Sequence, residues 1–95
     1  MIRAHFTIDA SHASLPGHFP GRPVVPGVVL LDRVAAMVEH EGNARIAKLQ
    51  QVKFLRPLLP NERAELVIER ETNVPTFVIR CGDDVVAKGT FEVTS

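Results

Sequence analysis

The stretch VVLLDRVAAMVEH, residues 28–40, is apolar at almost every position, and only Asp32 and Arg33 interrupt it before its last two residues. Pro26 comes just before the stretch and cannot lie inside a helix, and Gly42 supplies a stop just after it. A helix that is apolar on nearly all of its faces is buried rather than surface-lying. The stretch therefore predicts one long buried helix.

The segments on either side of this helix alternate apolar and polar residues, as half-buried strands do. One such segment precedes the helix and four follow it: 3–9, 44–57, 62–71, 75–81 and 85–93. In the second segment the alternation changes phase at Gln50 and Gln51, which predicts a bulge or bend. Gly82, Asp83 and Asp84 predict a hairpin turn between the last two strands.

One helix and about five mostly antiparallel strands predict a single α+β domain over residues 1–95, with the sheet curled around the helix. A sheet of that size cannot enclose a helix completely. Small size and unpaired sheet edges therefore favour a dimer.

Composition excludes several classes of protein. The 95 residues carry 11 basic and 11 acidic side chains and neither Trp nor Tyr, which argues against a nucleic-acid binder. The longest charge-free apolar run, 24–31, is far too short to span a membrane, and the N-terminus lacks the pattern of a signal peptide. Cys81 is the single cysteine and fits a reducing compartment, so we expect a cytoplasmic protein. The four histidines share no metal-ligand spacing, so we expect no metal site.

Residues 14–34, SLPGHFPGRPVVPGVVLLDRV, carry four of the seven prolines and three of the six glycines. His18 lies in this stiff segment, between Pro16 and Pro20. A loop built so tightly around an imidazole suggests that the ring is aimed at something. A loop histidine is also commonly solvated or structural, and that alternative stays open.

Asp32 is the one carboxyl in the middle of the predicted helix. Its helical neighbours at i±3 and i±4 are all apolar: Val28, Val29, Ala35 and Ala36. Loss of water at such a place raises the pKa of a carboxyl, as a general acid requires. Alternatively, Asp32 pairs with a buried arginine, or Asp32 and Arg33 share an exposed stripe.

Gly27 begins the predicted helix, where backbone N–H groups have no helical partner and carry the positive end of the dipole. Such a group can hold a carbonyl oxygen that gains negative charge. An imidazole base, a shielded acid and an N–H donor together are what elimination beside a carbonyl requires. Each feature alone is more commonly structural.

The residues GHFPGRPVVPGV, 17–28, followed by Asp32, resemble the active-site signature of the β-hydroxyacyl-acyl-carrier-protein dehydratases. The matched positions of the pattern G-H-F-x-x-x-P-x-x-P-G are Gly17, His18, Phe19, Pro23, Pro26 and Gly27. The likeness extends into 52–62 and 82–93. It implies the hotdog fold, a long helix wrapped by an antiparallel sheet.

The resemblance also implies roles for three residues. His18 would be the catalytic base, Asp32 the acid, and the Gly27 amide the donor that polarises the thioester carbonyl. In the family the base and the acid meet across a homodimer interface. The implied reaction dehydrates a 3-hydroxyacyl thioester on acyl carrier protein to the trans-2-enoyl thioester, with no cofactor beyond the carrier's phosphopantetheine.

Two departures from the family pattern, Arg33 after the acid and Ala36 four residues after it, leave the substrate open. They and the short chain are closer to small stand-alone dehydratases of specialised pathways, such as those for aryl polyenes, than to the general fatty-acid enzyme. Pairing with a related hotdog subunit or a higher assembly is a further expectation.

Two further sets of residues are assigned from their expected positions near the site. An acyl tunnel beside the helix would be lined from Phe19, Pro26, Val28, Leu31 and Phe54, although core packing explains the apolar ones equally well. Docking of an acidic carrier protein would use positive charge near the mouth, for which the candidates are Arg22, Arg33, Lys53 and Arg56, unless these are ordinary solubilising charges.

Two other functions stay open. A hotdog acyl thioesterase would use a carboxylate to activate water and would release free acid and thiol. A non-catalytic acyl-carrier-binding homologue would keep the motif as a relic. Cys81 is most simply a small buried apolar residue.

Overall fold

The computed structural model describes residues 1–9, 24–71 and 73–94. Within these residues the chain forms one helix and five strands. Their bounds are β1 Ile2–Phe6, α1 Gly27–Gly42, β2 Arg45–Phe54, β3 Ala64–Glu69, β4 Thr76–Cys81 and β5 Asp84–Thr94. The predicted number and order of elements are confirmed, and the strand ends differ from the predicted ones by at most three residues.

The strands form one sheet in the order β1-β3-β4-β5-β2, and every neighbouring pair is antiparallel. Strands β1 and β2 are consecutive in the chain but lie at opposite edges of the sheet. The connection between them contains α1 and therefore crosses one face of the sheet. This is the predicted hotdog arrangement, with the helix lying across an antiparallel sheet.

The sheet turns alternate residues toward the helix. In β3 the buried residues Ala64, Leu66 and Ile68 alternate with half-buried ones. In β4, Phe77 and Ile79 are fully buried. Full burial of a large apolar side chain contributes about 1.5–3 kcal/mol, so this inner face supplies much of the stability.

The helix buries one side only. Val29, Leu30, Val34, Met37 and Val38 form its contact with the sheet. The expectation of a helix buried on nearly all faces is not met in the single chain, because one sheet covers one side.

The opposite side of α1 faces outward. Val28 is 63% exposed, and Asp32 and Ala36, one and two turns further on, are exposed as well. An apolar residue as exposed as Val28 next to a carboxyl suits a surface that another subunit covers.

Left-handed backbone at Asn43 ends the helix. Asn43 has φ 57° and its N–H caps the carbonyl of Val38. The predicted stop at Gly42 is one residue early, since Gly42 still belongs to the helix. Asparagine tolerates this conformation well among residues with a side chain.

The predicted bulge at Gln50 and Gln51 is confirmed. The register of β2 against β5 shifts between Gln50 and Lys53, and Gln51 has φ 49°. Leu49 and Phe54 are five residues apart and would lie on opposite faces of a regular strand. The bulge lets Phe54 face the same side as Leu49, toward the helix. Further shifts, in β2 after Ile46 and between β4 and β5, were not predicted.

Among the described residues no helix has the length and apolarity that a membrane span needs.

Gly89 of β5 allows close packing in the core. A Cβ there would lie 2.8 Å from Phe77 Cε1 and 3.2 Å from the backbone Cα of Val52. Phe77 is fully buried. We expect Gly89→Ala to lower the free energy of unfolding by about 1–3 kcal/mol.

Urea unfolding followed by circular dichroism measures this loss. Gly82→Asn is the control, since Gly82 has φ 61° with open space around it and asparagine tolerates that backbone. Equal stability of Gly89→Ala and the wild-type protein would contradict the packing described for this strand.

Candidate functional site

The helix start is tied to the segment that follows β2. The N–H of Val25 donates to the carbonyl of Leu58 at 2.8 Å. Pro26 is the N-cap residue without a side-chain cap, and its carbonyl accepts from Val29 N–H at 3.0 Å. No described residue accepts a hydrogen bond from the N–H of Gly27 or Val28. These two groups are donors at the positive end of the helix dipole.

A cavity of about 470 Å³ adjoins this helix start. Its lining residues come from the helix entry and from the end of β2 with the segment after it: Val24, Val25, Gly27, Leu30, Phe54, Leu55, Arg56, Pro57 and Leu58. The lining is mostly apolar, and the volume lies in the range of small-molecule sites. Two residues predicted from sequence line this cavity: Gly27, the predicted N–H donor, and Phe54, a predicted tunnel residue.

Phe54 lies against the glycine. A Cβ at Gly27 would come within 2.8 Å of Phe54 Cζ, so only glycine lets the ring lie this close to the helix start. The ring is 51% exposed and borders the cavity. The sequence predicted that Gly27 allows a ligand to approach; in the single chain Phe54 approaches it.

The other predicted tunnel residues lie differently. Pro26, Val28 and Leu31 do not line this cavity, and Val28 points outward. Leu31 is half-buried and packs against the core. Phe19 lies outside the described residues, as do the catalytic candidate His18 and the docking candidate Arg22.

Asp32 is exposed in the single chain, together with Arg33. The prediction of a carboxyl shielded by apolar neighbours is therefore not met by one subunit, and the exposed-stripe alternative describes the isolated chain. Asp32 lies five residues after Gly27, which is about 7.5 Å along a helix axis. Both residues belong to the first half of α1.

Arg33 points toward the opposite edge of the sheet from the cavity. Its guanidinium carbon lies 5.7 Å from the centre of the Phe6 ring in β1. It borders a second cavity, of about 220 Å³, between α1 and β1. A carrier protein at the mouth of the first cavity would therefore not meet Arg33 in this position.

Lys53 is exposed, and its partner across the strands is another exposed lysine, Lys88. Like charges directly opposite each other in a sheet are unfavourable. The two lysines form a local positive patch on a chain that has no net charge. Lys53 directly precedes Phe54 in β2, and because strand residues alternate, the two lysines lie on the face of the sheet opposite to the Phe54 ring. Sequence reasoning missed Lys88, which only the register of β2 against β5 places beside Lys53.

Arg56 is half-buried and held by acidic groups. Its Nη1 lies 3.2 Å from Glu62 Oε1, and its Nε lies 3.4 Å from Asp84 Oδ2. Glu62 raises the pKa of the Arg56 guanidinium. These contacts compete with the predicted docking role. Cys81 joins the cluster, because its thiol donates to Glu62 Oε2 at 3.5 Å.

Glu62 is a residue that sequence reasoning missed. Its Oε1 accepts from the backbone N–H of Leu59 at 2.9 Å, and this bond together with Arg56 lowers its pKa below the ordinary 4.5. The available signal was the stretch RPLLPNE, which places opposite charges at the two ends of a turn rich in proline.

Comparison with known proteins decides the family. A family model described as "ApeI-like: ApeI dehydratase" matches residues 1–90. The chain belongs to the ApeI-like dehydratase family. The resemblance predicted from residues 17–32 is thereby confirmed.

The relatives of this ApeI-like dehydratase include proteins named 3-hydroxyacyl-[acyl-carrier-protein] dehydratase FabZ. The protein from Mannheimia succiniciproducens is 33% identical over 78 residues, covering 72% of this chain and 52% of its own length. The protein from Anaeromyxobacter sp. (strain K) is 34% identical over 92 residues, covering 79% of this chain and 59% of its own. The ApeI-like chain thus spans between half and three fifths of these relatives.

Solved structures confirm the fold. The dehydratase heterocomplex ApeI:P from Xenorhabdus doucetiae matches with a TM-score of 0.80 at 22% identity, covering 98% of this chain and 86% of the other. An uncharacterized protein from Erwinia carotovora subsp. atroseptica matches with a TM-score of 0.73 at 26% identity, covering 97% and 81%.

The lowered pKa of Glu62 makes stability depend on pH. A carboxyl whose pKa is lowered by folding stabilises the protein above its unfolded pKa and loses that effect as the pH falls through the folded value. We expect the wild-type protein to be more stable than Glu62→Gln by about 1 kcal/mol at pH 7. The difference should disappear as the pH falls below 4.5 and through the lowered pKa.

Urea unfolding of both proteins between pH 7 and pH 3 measures this difference. Because the glutamine of the variant cannot titrate, the remaining pH dependence is shared by both proteins and cancels. A difference that stays constant down to pH 3 would contradict the lowered pKa.

Proposed function

We propose that this ApeI-like dehydratase removes water from a 3-hydroxyacyl thioester carried on acyl carrier protein and gives the trans-2-enoyl thioester. The observation that carries the proposal is the family match over residues 1–90, which includes the His18 motif and Asp32. The names of the FabZ relatives state the same reaction. The apolar cavity supports it, because it adjoins the N–H groups of Gly27 and Val28, from which no described residue accepts a hydrogen bond.

The proposed reaction moves two protons. His18 takes one from the carbon next to the thioester carbonyl, and the Gly27 N–H stabilises the negative charge that develops on the carbonyl oxygen. Asp32 gives a proton to the 3-hydroxyl, the carbon–oxygen bond breaks, and water leaves as the double bond forms. Hydroxide is a poor leaving group, so the reaction needs this second proton.

We place the working site between two subunits. An effective acid must be shielded from water, and Asp32 is exposed in the single chain. A second subunit on the open side of α1 would cover Asp32 and Val28 together. We propose that this subunit is a second copy of this chain or a related hotdog protein. The similarity to the dehydratase heterocomplex ApeI:P supports such an assembly.

The remaining parts of the proposal concern the surroundings of the reaction. The substrate arm is phosphopantetheine on an acidic carrier protein, and no further cofactor takes part. Lys53, together with Arg22, attracts the carrier, whereas Arg56 stays in its ion pairs. The pathway is fatty acid synthesis or a specialised acyl or polyene pathway in the cytoplasm.

The test is incubation with a panel of 3-hydroxyacyl carrier-protein thioesters, followed by mass spectrometry for the loss of one water. His18→Ala and Asp32→Asn should each lower turnover at least about 100-fold, since each removes a proton-transfer group. Size-exclusion chromatography should show an unchanged assembly. His40→Ala and Glu39→Gln are matched controls, because both residues are exposed near the end of α1.

Each other outcome rejects part of the proposal. Normal turnover of both variants would exclude these roles for His18 and Asp32. Release of free acid and thiol would identify a thioesterase. Binding of the acyl carrier protein without any chemistry would identify a non-catalytic homologue.

A further inference from the structure

The segment between β2 and β3, residues 55–63, is called here the β2–β3 connection, and it forms one wall of the cavity at the helix start. The N–H groups of Leu55 and Arg56 both donate to the carbonyl of Val86, at 2.8 and 3.4 Å. The carbonyl of Leu58 accepts from Val25 N–H at 2.8 Å. The connection therefore joins β5 on one side to the helix entry on the other.

The same connection also holds the chain just after β1. Asn61 N–H donates to the carbonyl of Ile8 at 2.8 Å. Asn61 has φ 68°, and Leu58, in the middle of the connection, is fully buried. Ile8 and Val25 flank residues 10–23, so the β2–β3 connection holds the described chain on both sides of that segment.

Glu62 closes this connection on itself. It receives the N–H of Leu59 at 2.9 Å and both terminal nitrogens of Arg56, at 3.2 and 3.5 Å. Arg56 Nη1 also lies 2.6 Å from the carbonyl of Pro57. A fork of this kind, from an arginine to a carboxylate, fixes geometry as well as supplying energy. The Glu62 carboxylate thereby ties the end of the β2–β3 connection to its start at Arg56 and to its middle at Leu59.

Glu62 itself does not line the cavity, whereas Leu55, Arg56, Pro57 and Leu58 do. We propose that Glu62 is a positioning residue for dehydration, which holds the β2–β3 connection so that Phe54 and the Gly27 N–H keep their places around the substrate. This inference rests on the proposed function. The inference adds Glu62 to the proposed site as a residue that does not touch the substrate and acts by holding the β2–β3 connection.

A positioning residue affects the rate more than the binding. Displacement of the wall by a fraction of an ångström leaves the apolar contacts of the acyl chain largely intact. It misaligns the thioester carbonyl with its donor, and small misplacements of reacting groups are costly for the rate. We therefore expect Glu62→Ala to lower kcat about tenfold while KM changes less than about twofold.

Conservative and control variants separate this role from general stability. Glu62→Gln keeps an acceptor for Leu59 N–H and should recover kcat to within about threefold of the wild-type value. Glu65→Ala is the matched control. Glu65 is paired with an arginine, Arg3, at 3.4 Å, and its side chain is 26% exposed against 30% for Glu62. It lies on the outer face of β3, so its loss should leave kcat unchanged.

The experiment has a kinetic arm and an exchange arm, both run below the melting temperature of each variant. The kinetic arm uses the 3-hydroxyacyl carrier-protein thioester that the wild-type protein dehydrates fastest. The exchange arm follows hydrogen exchange of the Val25 amide by NMR, which should accelerate in Glu62→Ala and not in Glu65→Ala. A wild-type protein that dehydrates no thioester would reject the proposed function, and the exchange arm would then decide this inference alone.

Two results would overturn the positioning role. One is a kcat of Glu62→Ala no lower than that of Glu65→Ala. The other is an unchanged exchange rate of the Val25 amide. If Glu62→Ala does not fold, Arg56→Lys takes its place in both arms, since Arg56→Lys keeps the charge and loses the fork to Glu62.

Discussion

The structure depends on one topological constraint: the chain must cross the sheet between β1 and β2, because these strands lie at its opposite edges. A connection that crosses a sheet face has to bury that face, and α1 does so with Val29, Val34 and Val38. The crossing brings the start of the helix over the end of β2. It therefore decides where the cavity lies, beside Gly27 and the Phe54 ring that packs against it.

Local irregularity then shapes that cavity. The bulge at Gln50 and Gln51 turns Phe54 toward the helix, and Gly27 has no side chain to prevent the contact. The β2–β3 connection closes the wall through Arg56 and Glu62. The fold thus supplies an apolar cavity with N–H donors, while the carboxyl of Asp32 stays on the open side of the helix. The proposed role of Asp32 as a shielded acid therefore requires a second subunit over this side of the helix.

Much of this could be predicted from sequence because it follows from short-range periodicity. Alternation in 62–71 and 75–81 predicted the strands that became β3 and β4, and the phase change at Gln50 predicted the bulge. Strand ends were less predictable, since alternation continues beyond the last ladder hydrogen bond. The expected desolvation of Asp32 was inferred from its helical neighbours alone, and exposure depends on which side of α1 the sheet covers.

By itself, the sequence determined the elements, their order, the α+β class and the dehydratase family, because apolar periodicity and the GHF…PG motif are local properties of the chain. Tertiary structure alone decided that Lys53 faces Lys88, that Arg56 meets Asp84, and that the helix has an open side. These contacts join residues far apart in the chain. Their existence depends on register and on sheet order, which periodicity does not encode.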